Sequence, residues 1–225
     1  MIGEIRATPL VVTIDGRRIL DQVDFEARSG ELVAVTGPSG SGKTTLMMVL
    51  AGIQVPSSGQ VLVDGRVLAP DGPDRSRVGV ILQNHGLVSI LTAAENVSLP
   101  LQARGLPSAE IASRTREALH SVGLDDAADH LAEDLSGGQR QRVGVARALA
   151  ANPELMIADE PTSELAADAR HQVLALLRSQ ANHGSIVVLA SHDQEVVDAC
   201  DRSLQLLDGR RVGAPPQPEG AAPSS

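Results

Sequence analysis

Gly37-Pro38-Ser39-Gly40-Ser41-Gly42-Lys43-Thr44 is the stretch with the clearest chemistry, a full match to G-x-x-x-x-G-K-[ST]. Its glycines let the backbone curl, so that successive N–H groups face inward at phosphate oxygens. A helix expected over 43–52 adds about half a positive charge at its N-terminus. Lys43 reaches terminal phosphates, the Thr44 hydroxyl can ligate Mg²⁺, and Thr45 lies in the same turn. Lys43 is also the only lysine in the chain. A slim, flexible ammonium is what a phosphate cradle accepts, where a planar guanidinium fits poorly. These residues point to a nucleoside-triphosphate site.

A second candidate is Leu155-Met156-Ile157-Ala158-Asp159-Glu160, four apolar residues ending in two carboxylates. Asp159 would sit where a strand emerges at the carboxyl edge of a sheet and would hold Mg²⁺, directly or through water. Glu160 would lie beside the γ-phosphate and polarise the attacking water as general base. Such a pair alone is common after strands; together with the Gly37 loop it gains force. A third candidate is Leu135-Ser136-Gly137-Gly138-Gln139, where Ser136 is a good N-cap. It looks like another anion-binding helix start, and one γ-phosphate needs only one from each chain, so a second molecule would supply it.

Other elements must position these residues. Near-continuous apolar runs at 31–37 (ELVAVTG), 78–83 (VGVILQ), 155–159 (LMIAD) and 186–191 (IVVLAS) read as strands buried on both faces. The run 60–65 (QVLVDG) reads as a further strand. Helical spacing runs over 108–123 and 138–151, and 165–180 fits a crossover helix. Asp208-Gly209 signals a hairpin turn. The alternation predicts an α/β fold with a mostly parallel sheet. The stretch 85–139 carries no strand pattern and reads as an inserted helical lobe, with the sheet core over about 1–84 and 140–212. The tail 213–225 (GAPPQPEGAAPSS) has almost nothing to bury and is expected to be disordered.

In order and spacing, the Gly37–Thr44 loop, Gln83, Leu135 to Gln139, Leu155 to Glu160 and His192 resemble an ATP-binding-cassette (ABC) ATPase over about 5–212. The LSGGQ wording is highly specific to that family. The resemblance implies a P-loop NTPase (RecA-like) core, an N-terminal antiparallel β region and the inserted helical subdomain. It implies ATP and Mg²⁺, sandwiched between the Gly37 loop of one subunit and Ser136, Gly137, Gly138 and Gln139 of another. It assigns Gln83 to sensing Mg²⁺ and the membrane partner, alongside Thr44 and Asp159 as metal ligands. It assigns His192 to the γ-phosphate. The partners it implies are a second ABC ATPase subunit, identical or different, and an integral-membrane permease, which would hold the chain at the cytoplasmic face of the cell membrane. The words from Gln83 to Leu101 and IADEPT are similar to ATPases of lipoprotein release and macrolide export.

Three departures stand out. The family stacks adenine on an aromatic residue where this sequence offers Ile14. Ala166 occupies the place of a family aspartate. Val80 and Leu82 fill places that are often Phe. The Ile14 and Ala166 departures support an alternative reading as a weakly hydrolytic or regulatory subunit; Glu160 and His192 oppose it. Composition excludes other classes. With 225 residues, a net charge of -9 and Phe25 as the only Phe, Tyr or Trp, the chain has neither the basic face nor the stacking platform of a nucleic-acid binder. It also lacks the second cassette or long coiled coil of soluble DNA-repair relatives. Cys200 is the only cysteine, which excludes an internal disulfide and a cysteine metal cluster. No apolar run spans a bilayer.

Overall fold

The computed structural model describes residues 1–213; the tail expected to be disordered lies outside them, apart from Gly213. In chain order the strands are β1 (Glu4–Ile14), β2 (Arg17–Arg28), β3 (Leu32–Thr36), β4 (Val61–Val63), β5 (Arg66–Val67), β6 (Val78–Ile81), β7 (Leu155–Asp159), β8 (Ile186–Ala190), β9 (Arg202–Leu207) and β10 (Arg210–Arg211). The α-helices are α1 (Lys43–Leu50), α2 (Ala93–Ala103), α3 (Ser108–Ser121), α4 (Gly137–Ala150), α5 (Ala167–Asn182) and α6 (Gln194–Asp198).

Two sheets result. One is ordered β10-β9-β3-β8-β7-β6 and is parallel except for β10. The other is antiparallel, ordered β2-β1-β4-β5. The strand expected at 60–65 is β4, and it joins the antiparallel sheet. Asp15-Gly16, Asp64-Gly65 and Asp208-Gly209 are hairpin turns with both residues at positive φ, as a two-residue primed turn requires.

Side chains explain why the core strands lack alternation. Along β3, Val33 and Val35 enter one apolar cluster and Leu32 and Ala34 the other. Strand β7 splits likewise, Leu155 and Ile157 against Met156 and Ala158. Both faces are covered, so every position but the last of each strand is apolar. Phe25 fills the cluster that holds α1. Cys200 is a packing residue: burial pushes its thiol up to about 11, so it stays un-ionised.

Between β6 and β7 the described chain forms no strand. Helices α2, α3 and α4 pack on one another there, and α4 also packs on β6. Helix α2 was not foreseen. Its start carries a full capping box, in which the Thr92 side chain accepts from Glu95 N–H and the Glu95 carboxylate accepts from Thr92 N–H. Pro100 lies inside it.

Candidate functional site

The loop between β3 and α1 curls as its glycines allow. Gly37 has φ 146, and a Cβ there would stand 2.2 Å from the Leu206 carbonyl oxygen. Gly42 has φ 101 and caps α1 with no side-chain hydrogen bond. The first N–H groups of α1 are thus left without a capping side chain, the arrangement that binds anions. Lys43 Nζ donates to the Gly37 carbonyl at 2.8 Å and to the Pro38 carbonyl at 3.2 Å.

Asp159 ends β7 beside this loop, and Glu160 follows with φ 51. A non-glycine residue in the left-handed region costs about 1–3 kcal/mol and persists only where its surroundings enforce it. Here Glu160 N–H donates to the Ala190 carbonyl at 3.0 Å. Its Oε1 lies 2.8 Å from His192 Nδ1, which as N–H donates to it. The His192 side chain is 72% exposed while Glu160 is buried, so the imidazole bridges the carboxylate and the open cavity. Burial pushes the Asp159 carboxyl above the usual range, assisted by the Glu160 charge; the Thr44 hydroxyl and the Lys43 ammonium act against it.

A cavity of about 980 Å³ unites these groups. Gly37, Lys43, Thr44 and Thr45 form its floor; Gln83, Asp159, Glu160 and His192 stand around it. Pro38, Ser39, Gly40 and Gly42 also line it, while Ser41 is buried behind them. Two of the buried oxygens without a hydrogen-bond partner among the described residues belong to this site, Asp159 Oδ1 and Ser41 Oγ. An unpaired carboxylate oxygen beside a threonine hydroxyl is the hard donor set that Mg²⁺ prefers. The residues present fit a magnesium-nucleotide.

Ile14 is not brought to this cavity. It ends β1 and is 43% exposed, whereas Arg17, Arg18 and Ile19 form the wall that the β1–β2 hairpin supplies. Asp208, Gly209 and Ser163 also line the cavity and were not foreseen. The hairpin signal at Asp208-Gly209 was visible, but only pairing of β9 with β3 carries it to the loop.

Ser136 to Gln139 lie outside the cavity, at the start of α4. Ser136 caps the helix and Gln139 completes a capping box. Glu164 leans over this start: a Cβ on Gly137 would lie 2.1 Å from Glu164 Oε2. Buried His85 points Nε2 at Glu164 Oε1 across 3.5 Å. Burial pulls the His85 pKa below its ordinary value, against the pull of Glu164, so the imidazole does not neutralise that carboxylate at neutral pH. Ala166 is the N-cap of α5 and provides no side-chain cap; Asp168 lies in the first turn.

The sequence profile of the family described as ABC transporter matches residues 20–163. The chain belongs to the ABC transporter family. It forms an ATP-binding ATPase domain of the kind this family uses with Mg²⁺. The methionine import ATP-binding protein MetN of Caulobacter vibrioides is 43% identical over 204 residues, 88% of this chain and 61% of MetN. The macrolide export ATP-binding/permease protein MacB of Salmonella typhimurium is 38% identical over 207 residues, 89% of this chain and 32% of MacB. The chain thus spans less than two thirds of the length of either relative. Among solved structures, a dimeric post-hydrolysis state of the ATP-binding cassette MJ0796, bound to ADP and Pi, has a TM-score of 0.86 at 31% identity. It covers 92% of this chain and 96% of its own. Among the described residues of this ABC domain, no helix is long and apolar enough to cross a membrane.

Proposed function

We propose that this ABC domain binds two ATP molecules between two copies, or between itself and a related subunit, and hydrolyses them to drive a membrane permease. The observation that carries this reading is the Glu160–His192 pair, 2.8 Å apart at the rim of the phosphate cavity. Glu160 takes the proton of the attacking water, and His192, fixed by that carboxylate, presents its other ring nitrogen to the γ-phosphate. Lys43 and the N–H groups of the Gly37 loop hold the phosphates. Thr44, Asp159 and Gln83 would hold Mg²⁺, whose chemistry there is to neutralise charge on the phosphate oxygens. Ser136, Gly137, Gly138 and Gln139 act on the nucleotide of the facing subunit. The permease binds near Gln83 to Leu101 and keeps the domain at the cytoplasmic face of the membrane.

The similarity to an importer and to an exporter leaves direction to the permease, because the cassette chemistry is the same in both. A lipoprotein-release or macrolide-export role is the narrower version, carried by the wording from Gln83 to Leu101. The alternative of a weakly hydrolytic subunit paired with a stronger one is favoured by one feature, the uncapped α5 start at Ala166.

Steady-state ATPase assays on the purified chain decide the main reading. Glu160→Gln should lose about 10²–10⁴ in turnover, the worth of a general base, with ATP binding retained. Lys43→Ala should lose binding itself. Near-normal turnover in Glu160→Gln refutes it.

A further inference from the structure

We propose that Gln141 is a positioning residue that holds Glu160 in its left-handed turn and ties it to the start of α4. The proposal rests on the reading of Glu160 as the base and of Ser136 to Gln139 as the segment that meets the facing nucleotide.

Gln141 lies on α4, one turn beyond Gly137, and is only 2% exposed. It does not line the nucleotide cavity. Its amide is directed wholly at the turn after β7. Nε2 donates to the Glu160 carbonyl at 2.6 Å and stands 3.5 Å from Ser163 Oγ. Oε1 accepts the Glu164 N–H at 2.7 Å. One buried side chain therefore satisfies an acceptor at one end of the 160–164 turn and a donor at the other.

Glu160 needs such a partner. Its backbone is left-handed, and its carbonyl meets α4 and not a neighbouring strand. Without the Gln141 donor, that carbonyl keeps only the longer bonds from within its own turn, Ser163 Oγ at 3.2 Å and Ser163 N–H at 3.3 Å. The Gln141 bond is the shortest of the three and the only one that comes from outside the turn, so its loss frees the turn to relax. Return of Glu160 to an extended conformation swings the carboxylate away from His192. Gln141 thus acts through Glu160, from outside the nucleotide cavity.

The same amide makes a mechanical link. Helix α4 begins at Gly137, and its capping box keeps that first turn intact. A phosphate engaging Gly137 and Gly138 pulls on a helix that, one turn later, grips the base of this chain's own site. The state of the facing site is thereby passed to Glu160 through one side chain.

A double-mutant cycle tests this. Turnover at saturating ATP is measured for wild type, Gln141→Met, Glu160→Gln and the double variant, with ATP dissociation constants and thermal melts alongside. Methionine keeps the volume and removes both hydrogen bonds. Gln141→Met should lower kcat at least about tenfold, the size of one lost buried hydrogen bond, with ATP affinity within about twofold. In the Glu160→Gln background it should cost nothing more, because its effect is already absent. An additive loss, or an unchanged kcat in the single variant, overturns the proposal: the role is then structural only. If Gln141→Met does not fold, Gln141→Glu enters the same cycle; it keeps the acceptor for Glu164 N–H and removes the donor to Glu160. Wild-type turnover that does not depend on Glu160 removes the reading of the base, and this inference with it.

Discussion

Replacing Glu164 by Gln removes one negative charge from the start of α4 and leaves the side-chain volume unchanged. Oε2 of Glu164 stands where a Gly137 Cβ would touch it, at 2.1 Å. A phosphate held by the N–H groups of Gly137 and Gly138, at hydrogen-bond lengths of about 2.9 Å, would sit roughly 4–6 Å from that oxygen. Two unit charges about 5 Å apart repel by about 0.8 kcal/mol in water and by about 3 kcal/mol at an effective dielectric of roughly 20. The Glu164 side chain is 44% exposed, so water screens it, and the Arg140 guanidinium shares the same helix end. The value is therefore near the lower limit, about 1 kcal/mol per site. A symmetric closed pair has two such sites, so Glu164→Gln should favour the ATP-bound dimer by about 2 kcal/mol, roughly 30-fold in its association constant. Sedimentation velocity, with Glu160→Gln in the background to prevent turnover, measures this directly. The gain should shrink between about 50 mM and about 500 mM salt, as a partly exposed charge demands. An association constant that is unchanged at low salt, or weaker, refutes the reasoning and makes Glu164 a neutral or stabilising part of the interface.

Ala166→Asp should raise thermal stability, because α5 gains the missing N-cap, worth about 0.5–2 kcal/mol, whereas Asp168→Ala should cost only a few tenths. A melting temperature unmoved by Ala166→Asp would place the α5 start elsewhere. Glu154 gives a pH test. The Arg77 guanidinium holds its pKa down to about 2, below the unfolded carboxylate value. The resulting stability is complete above about pH 4.5 and disappears as pH falls towards 2. With screening for partial exposure, Glu154→Gln should cost about 1 kcal/mol at pH 7 in urea unfolding, and the gap should narrow at pH 3. A gap of constant size would show that Arg77 does not set it. Leu87 packs against the core while Ile90 is 72% exposed. Leu87→Asp should therefore lower the melting temperature, and Ile90→Asp should leave stability within about 0.5 kcal/mol while weakening recruitment to permease-containing membranes. Equal destabilisation by the two would place both residues in the core.

Much of the core and the phosphate loop could be read from local sequence. The runs at β3, β7 and β8 are apolar at nearly every position because both faces are covered. The loop glycines are needed by geometry that is local to the loop. What failed to show was non-local or irregular. Register shifts in the β1–β2 pair, at Ala7/Leu10, Leu10/Val12 and Val12/Thr13, break the alternation that would have marked two long strands. Pro100 hid α2, although Thr92 and Glu95 had written its capping box in plain form. Arg17, Ile19 and Gly209 reach the cavity only through pairing with distant segments, so no window around Lys43 contains them. Gln141 looked like one polar residue among several in QRQR. Its partner is the carbonyl of a residue whose left-handed turn no pattern announces.

The turn at Asp208-Gly209 has a consequence for the order in which the molecule becomes competent. Gly209 N–H donates to the Ser41 carbonyl, its own carbonyl accepts from Asp21 N–H, and the neighbouring Leu206 carbonyl presses on Gly37. The phosphate loop is thus clasped by a hairpin made far later in the chain. During synthesis, residues 37–44 leave the ribosome early, yet they wait for nearly the whole domain before this clasp can close. Bracing of the phosphate loop is therefore a late event in folding, and a nascent chain halted before Leu206 would carry the complete phosphate motif without its brace.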